Sequence, residues 1–193
     1  MSIFDRLKYG ASEMMKDAAK TMAQSIGNKK ETFTFTSLPE SLAEMRSLPE
    51  AALDNPFQTA ALTVCALCVY GADRAIGIEM LNWLKGPKPL TPYEISFLND
   101  RFCDNQEYIP FSFFEGAVPD NDYTPRHPFT IVVESTAVSD DMGEGYMKLF
   151  MRSGGADSPR AVTLRRRGDG KWFLWDQYLM SGIRPPKSND PWA

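Results

Sequence analysis

The sequence predicts an α+β protein, in which N-terminal helices pack on a mostly antiparallel β-sheet formed by the C-terminal half. Three observations support this class. Apolar residues recur at helical spacing, between capping residues and prolines, as far as residue 102. From residue 129 onward, short segments rich in β-branched and aromatic residues alternate with turns. The apolar runs of residues 57–102 need a second layer to be buried, so these helices should cover one face of the sheet.

Length and composition indicate one main folded domain. The chain has 193 residues, of which 43% are hydrophobic and 24% are charged. We expect residues 1–30 to form an amphipathic N-terminal helix and residues 31–193 to form a single α+β domain. The longest apolar run, residues 60–70, is too short to cross a bilayer, no signal peptide is visible, and three cysteines suit a reducing compartment. The expected location is therefore cytoplasmic.

The charge pattern argues against a nucleic-acid partner. The formal net charge is -4, which gives no global attraction to a polyanion. Acidic residues dominate residues 94–144, and basic residues dominate residues 160–187. We interpret these segments as two solvated surfaces that face different ways or pair with each other.

The N-terminal segment has a weak apolar stripe that is rich in methionine and alanine. Its members recur at helical spacing: Phe4, Leu7, Ala11, Met14, Ala18, Met22 and Ile26. We favour a helix that packs on its own domain or frays as an arm. Docking of residues 1–30 on a membrane surface or on a partner is the less favoured alternative.

Residues 31–102 carry one strand signal and several helix signals. The alternation of residues 32–36 predicts a strand. Ser37 and Glu40 have the spacing of a capping box for a short helix over residues 41–48. The longer predicted helices cover residues 57–70, 74–84 and 91–102.

The second half of the chain is richer in strand signals. The aromatic residues 108–117 predict either a short strand or one helical turn. Residues 129–135 and 146–152 predict two strands on either side of an acidic loop. The proline-rich residues 183–193 predict an extended tail.

Residues 160–180 are the most strongly patterned segment, and they predict a β-hairpin. Gly168-Asp169 suits a two-residue type II′ turn, in which Gly168 has a positive φ. This register places apolar residues opposite one another on the expected core face, Leu164 with Phe173 and Val162 with Trp175. A type I′ turn at Asp169-Gly170 is the alternative, which we disfavour because a one-residue slip moves the apolar set to the other face.

The other face of the hairpin contains the residues that we expect to bind a partner. In the favoured register, Arg165 lies opposite Trp172, so that its stem packs against the ring. Arg167 extends the cationic surface toward the turn. Trp172, Arg165 and Arg167 are therefore the candidate binding residues.

Several blocks of the chain resemble a bacterial family, a domain of unknown function found in Firmicutes. The resemblance covers roughly residues 33–193 and implies no activity, substrate or catalytic residue. The blocks that carry it are SLPESLAEMRSLPEAAL, NPFQTAALTVCAL, LKGPKPL, YIPFSFFEGAVPDNDYTP, RSGGADSPR, KWFLWDQYL and DPWA.

The cysteines and the single histidine do not make a convincing catalytic or metal site. Cys65 and Cys68 sit inside an apolar helix, which favours buried structural thiols over redox chemistry. A zinc site would need Cys103 and His127 as well, and these lack the spacing of a second ligand pair. No G-x-S-x-G nucleophile elbow is present, so we expect no metal and no cofactor.

Two other polar segments remain weak candidates. The carboxylates of Glu115, Asp120 and Asp122 cluster in sequence, which leaves acid/base chemistry open. Residues 153–158 resemble a phosphate loop, but they lack its lysine and lead into a strand, so a connecting turn is the better interpretation.

Together these observations favour a non-enzymatic interaction or accessory module in the cytoplasm, with an unidentified protein partner and no nucleic acid. The alternative is a small-molecule-binding or hydrolytic domain with a cleft between the helices and the sheet. A deep polar pocket that holds carboxylates would favour the alternative, and a flat aromatic patch would favour the interaction module.

Overall fold

The computed structural model describes residues 29–140 and 143–189. Five antiparallel strands form one sheet in the order β1-β2-β3-β4-β5. The strands are β1 (Lys30–Phe35), β2 (Phe129–Glu134), β3 (Tyr146–Met151), β4 (Arg160–Arg166) and β5 (Trp172–Gln177). The helices are α1 (Leu42–Ser47), α2 (Pro56–Ala72), α3 (Arg74–Lys85), α4 (Pro92–Arg101) and α5 (Tyr108–Phe111). The predicted α+β class, with helices preceding most of the sheet, is confirmed.

Helix α2 is the centre of the core, because it packs across the sheet and is buried along most of its length. Asn55 begins the helix by accepting a hydrogen bond from Phe57 N–H, and Pro56 occupies the first turn. Cys65 and Cys68 are buried on this helix, as predicted.

Asp73 ends α2 and begins α3, since its carboxylate accepts a hydrogen bond from Ile76 N–H. The two helices meet closely: a Cβ at Gly77 would lie 2.3 Å from Tyr70 Cα. Helix α3 therefore folds back against α2, and its last turn reaches β5. This arrangement brings Lys85 and the following loop to the edge of the sheet.

The cap of helix α1 is Ser41, four residues after the predicted cap at Ser37. Ser41 Oγ accepts a hydrogen bond from Glu44 N–H at 3.2 Å, and Glu44 Oε2 accepts one from Glu40 N–H at 2.8 Å. The sequence repeats the capping pattern four residues apart. Because Leu38 precedes a proline, it disfavours helical dihedrals, and the second pattern is the one used.

The sheet is well paired at both ends and weakly paired in the middle. Strand β1 pairs with β2 along its whole length, whereas β2 and β3 share only Val133↔Met151 and Glu134↔Phe150. Residues 112–118 cover the gap, with Glu115 N–H donating to Thr130 O at 2.9 Å. Of the two predicted forms for residues 108–117, the structure has one helical turn, α5.

The hairpin turn differs from the predicted one. Arg167 N–H donates to Lys171 O at 2.8 Å, which leaves a three-residue loop over Gly168, Asp169 and Gly170. The positive φ of 86° falls on Gly170, as in three-residue loops that close with a left-handed glycine. The type II′ turn with a left-handed Gly168 is therefore wrong.

The register of the hairpin is wrong as a consequence. Leu164 lies opposite Leu174 and Arg165 opposite Phe173, so neither predicted register holds next to the turn. The pairing then shifts, and Thr163 lies opposite Asp176. Trp175 is the extra residue in this β-bulge, and it lies on the open face because its neighbour Leu174 faces the core.

The predicted N-terminal helix over residues 1–30 lies outside the described residues, apart from its last two. Lys30 is the first residue of β1, and its Nζ forms an ion pair with Glu134 at 2.7 Å. The domain boundary predicted at residue 31 stays a prediction.

Candidate functional site

A cleft of about 610 Å³ lies between the β4–β5 hairpin and the loop that follows α3. We call it the cationic cleft, because five basic side chains and two acidic ones line it. The basic residues are Lys85, Lys88, Arg165, Arg166 and Arg167, and the acidic ones are Glu94 and Asp176. The local charge of +3 contrasts with the acidic chain as a whole.

Trp175 forms the aromatic centre of the cleft. The guanidinium carbon of Arg165 and Nζ of Lys88 each lie 4.8 Å from its ring centroid. The ring of Tyr146 meets it edge to face, with centroids 5.6 Å apart. The half-buried indole is thus held in place, and cation–π contacts of this exposed kind contribute about 0.5–1 kcal/mol each.

The two cations that lie over the Trp175 ring are Arg165 and Lys88. Neither Arg165 nor Lys88 forms an ion pair with any residue in the described ranges. Both side chains are exposed. They can therefore accept an anionic group without first breaking an internal salt bridge.

Arg167 at the hairpin tip has a different environment. It pairs with Asp169, and its guanidinium lies 4.8 Å from the ring centroid of Phe173. The hydrogen bond from Arg167 lowers the pKa of Asp169 to about 2. Arg167 thus adds a stacking contact at the hairpin tip, and its charge is balanced by Asp169.

Lys85 and Glu94 form the floor of the cleft. The Lys85 side chain is only 8% exposed, and its Nζ lies 2.7 Å from Glu94 Oε1 and 3.4 Å from Trp175 O. Partial burial alone would raise the pKa of Glu94, but hydrogen bonds from Lys85 and Thr91 lower it below its usual value. The buried ammonium is satisfied, and it ties α3 to the start of α4 and to the β5 bulge.

An apolar recess of about 420 Å³ adjoins the cationic cleft beneath α4. The two cavities share Leu174, Asp176 and the Lys85–Glu94 pair. The recess is otherwise lined mainly by apolar and aromatic side chains, which include Leu81, Leu90, Phe97 and Leu98.

The structure places the three candidate binding residues on two neighbouring surfaces. Arg165 and Arg167 line the cationic cleft, whereas Arg167 and Trp172 line a second cavity beside Tyr146. Trp172 packs against the core, and its backbone N–H donates to Leu53 O at 2.6 Å. The predicted contact between Arg165 and Trp172 is wrong, because the register places Arg165 beside Trp175 instead.

Trp175 and Lys88 are the site residues that the sequence did not reveal. The predicted type II′ register places Trp175 opposite Val162 on the core face, and this register is wrong. Lys88 lies between two prolines in the loop after α3, where restricted backbone dihedrals hold its position. A lysine between two prolines is therefore a sequence pattern that can indicate a positioned binding residue.

The other candidate groups lie away from the cationic cleft. Asp120 pairs with Lys187 at 3.4 Å, and Asp122 accepts a hydrogen bond from Ser188 Oγ at 2.7 Å, so these carboxylates hold the C-terminal tail. Burial raises the pKa of the Cys65 and Cys68 thiols, which keeps them protonated. Within the described ranges, no three His, Cys, Asp or Glu side chains are grouped as metal ligands.

The fold and the cleft define an α+β domain with a cleft that is lined by basic and aromatic side chains. Residues 37–187 match a family described as a domain of unknown function, DUF6935, and the chain belongs to that family. A search of curated proteins finds no match, and a search of solved structures finds none either. None of the helices in residues 29–140 and 143–189 is long and apolar enough to cross a bilayer.

Proposed function

We propose that this protein is a non-enzymatic interaction module that binds an acidic segment of a partner protein in the cationic cleft. The observation that carries the proposal is the position of Trp175, with Arg165 and Lys88 over its ring. In the described ranges, neither cation has an acidic partner of its own. A carboxylate beside the indole would satisfy both cations, and the indole would contact the neighbouring backbone or side chain.

The charge distribution supports an acidic ligand. Lys85 is matched by Glu94 and Arg167 by Asp169. Among the described residues that line the cleft, Arg165, Arg166 and Lys88 lack an ion pair, and Asp176 is the one carboxylate without one. A positive patch on a chain with a net charge of -4 steers an acidic segment to one place. Arginine can also hold a carboxylate through two parallel hydrogen bonds.

The residue types support a protein partner over a small substrate. Tryptophan, tyrosine and arginine are enriched among the residues that dominate protein interfaces. The arginines of the cleft are exposed along the hairpin, which suits an extended ligand. The two lining carboxylates do not form a catalytic pair, since Glu94 is engaged by Lys85 and Thr91. This favours the interaction module over the hydrolytic alternative.

The setting that we propose for this interaction is the cytoplasm of a bacterium of the Firmicutes. All three cysteines are thiols, which supports a reducing compartment. The origin rests on the resemblance of the sequence blocks. We propose no nucleic-acid ligand, because the chain as a whole would repel a long polyanion.

Binding of a labelled hexaglutamate peptide to the full chain, followed by fluorescence anisotropy, tests the proposal. Arg165→Glu and Lys88→Glu should each weaken binding about tenfold or more, because each replaces an attraction with a repulsion. Arg74→Glu is the matched control, since Arg74 is exposed at the other end of α3.

Two results would contradict the proposal. An equal loss in Arg74→Glu would mean that the peptide responds only to net charge. Tighter binding of a thymidine oligonucleotide than of hexaglutamate, with the same dependence on Arg165, would identify a nucleic-acid surface instead.

A further inference from the structure

The apolar recess adjoins the cationic cleft and shares four lining residues with it. Leu174 and Asp176 of β5 line both cavities, and the Lys85–Glu94 pair lies between them. A ligand in the cleft is therefore already next to the recess. The recess differs in chemistry, because leucines and Phe97 replace the arginines of the cleft.

Two exposed tyrosines lie at the rim of the recess. Tyr93 at the start of α4 is 80% exposed, and Tyr178 just after β5 is 54% exposed. Both line the recess. Large aromatic side chains that remain in water beside an apolar cavity are typical of a surface that a partner covers.

We propose that the partner segment carries a large apolar residue next to its acidic residues, and that this residue enters the recess while the carboxylates bind Arg165 and Lys88. This inference rests on the proposed function and specifies the chemistry of its partner. Lys85 and Glu94 divide the two subsites. Their mutual ion pair neutralises two of the charges at the boundary, and the exposed carboxylate of Asp176 is the remaining charge that both cavities share.

The order of the subsites constrains the partner sequence. The cleft and the recess follow one another past the β5 bulge, where Lys85 Nζ binds Trp175 O. An extended segment along this path presents neighbouring side chains to alternate sides. A segment with acidic residues next to one phenylalanine or leucine therefore fits, and a purely acidic segment leaves the recess empty.

Comparison of two labelled peptides against the full chain tests the inference. The probes are hexaglutamate and a hexapeptide with one central phenylalanine among glutamates. The phenylalanine should tighten binding about tenfold, because burial of such a side chain removes a large apolar area from water. Methyl resonances of Leu90 and Leu98 should shift with the second peptide only.

A variant whose new side chain fills the recess also tests the inference. Ser181 is half-buried in the lining of the recess, and its carbonyl, not its side chain, accepts the hydrogen bond from Arg160. Ser181→Trp should remove the tenfold advantage of phenylalanine and leave hexaglutamate binding unchanged. Ser37→Trp is the control, since Ser37 is exposed beyond β1, at the opposite edge of the sheet.

The outcomes separate the two proposals. Equal affinities for the two peptides, without shifts at Leu90 and Leu98, would overturn the proposal for the recess and leave the proposal for the cationic cleft unaffected. Failure of both peptides to bind overturns both proposals. If decanoate displaces the phenylalanine peptide and binds more tightly than it, the site takes a small amphipathic anion, and the protein segment is overturned.

Discussion

Arg165 lies over the ring of Trp175, 4.8 Å from its centroid, although the two residues are not paired across the hairpin. The register next to the turn accounts for this contact: Arg165 is paired with Phe173, and Trp175, two residues further along β5, lies on the same open face. The same pairing places Trp172 and Leu174 on the opposite face, against the core. The register set at the turn thereby decides which tryptophan supports the fold and which one lies in the cationic cleft.

The first prediction concerns the two tryptophans. Trp172→Ala should lower the free energy of unfolding by about 2–4 kcal/mol, because it removes a partly buried aromatic ring from the core. Trp175→Ala should cost about 1 kcal/mol or less, since only exposed cation–π and edge contacts are lost. Urea denaturation of both variants measures the difference. A larger loss for Trp175→Ala would contradict the observed register.

The second prediction concerns the turn. Gly170→Ala should destabilise the protein by about 1–2 kcal/mol, because φ at this position is +86°. Gly168→Ala is the matched control, with no neighbouring atom within 4 Å of a new Cβ and no left-handed backbone. It should change stability by less than about 0.5 kcal/mol. A lower melting temperature for Gly168→Ala than for Gly170→Ala would support the type II′ turn instead.

Much of the architecture could be predicted because it depends on local signals. Asn55-Pro56 and Asp73 mark helix starts through their own side chains, and the apolar run between them requires a buried helix. The hairpin register could not be predicted in this way. Two glycines flank Asp169, so several loops suit the same residues, and the loop that forms depends on packing elsewhere.

The prediction of the candidate site shows the same difference between local signals and features that depend on the register. The choice of Arg165 depended on its predicted pairing with Trp172, which the structure does not have, although Arg165 and Arg167 both line the cationic cleft. Trp172 was chosen over Trp175 because the face of each tryptophan depends on the register. The length of the loop at the turn sets this register, and Gly168, Asp169 and Gly170 suit loops of more than one length.

The third prediction concerns Glu94 and acid. Its pKa is lowered in the folded protein, so its interactions with Lys85 and Thr91 stabilise the fold above the ordinary pKa of 4.5. This contribution is lost as the pH falls from about 4.5 through the lower folded pKa. Glu94→Gln should therefore reduce the decline in stability over this acidic range. The measurement is urea denaturation at several pH values.

A control separates Glu94 from the general effect of acid. Glu79 is an exposed carboxylate on α3 with no ion pair in the described part of the chain. Glu79→Gln should leave the acid dependence as in the wild type. Identical profiles for Glu94→Gln and the wild type would show that the Lys85–Glu94 pair does not contribute.

The fourth prediction concerns the cysteines. Cys103 is exposed, whereas Cys65 and Cys68 are buried within α2 and their thiol pKa values are raised by that burial. A maleimide should label Cys103 in the native protein and all three cysteines after unfolding. Replacement of both buried cysteines by alanine should change stability only. Stoichiometric zinc in the wild type that is lost in the double variant would contradict a structural role.

The central claim is that an acidic segment binds beside Trp175, and the indole N–H resonances of the tryptophans test it most directly. Titration with hexaglutamate should shift the resonance of Trp175, assigned through Trp175→Phe. Trp172 should not move, because it lies against the core. Trp83 is an internal control, since Arg46 lies 5.7 Å from its ring centroid outside the cationic cleft. Shifts at Trp172 or Trp83 without one at Trp175 would contradict the account.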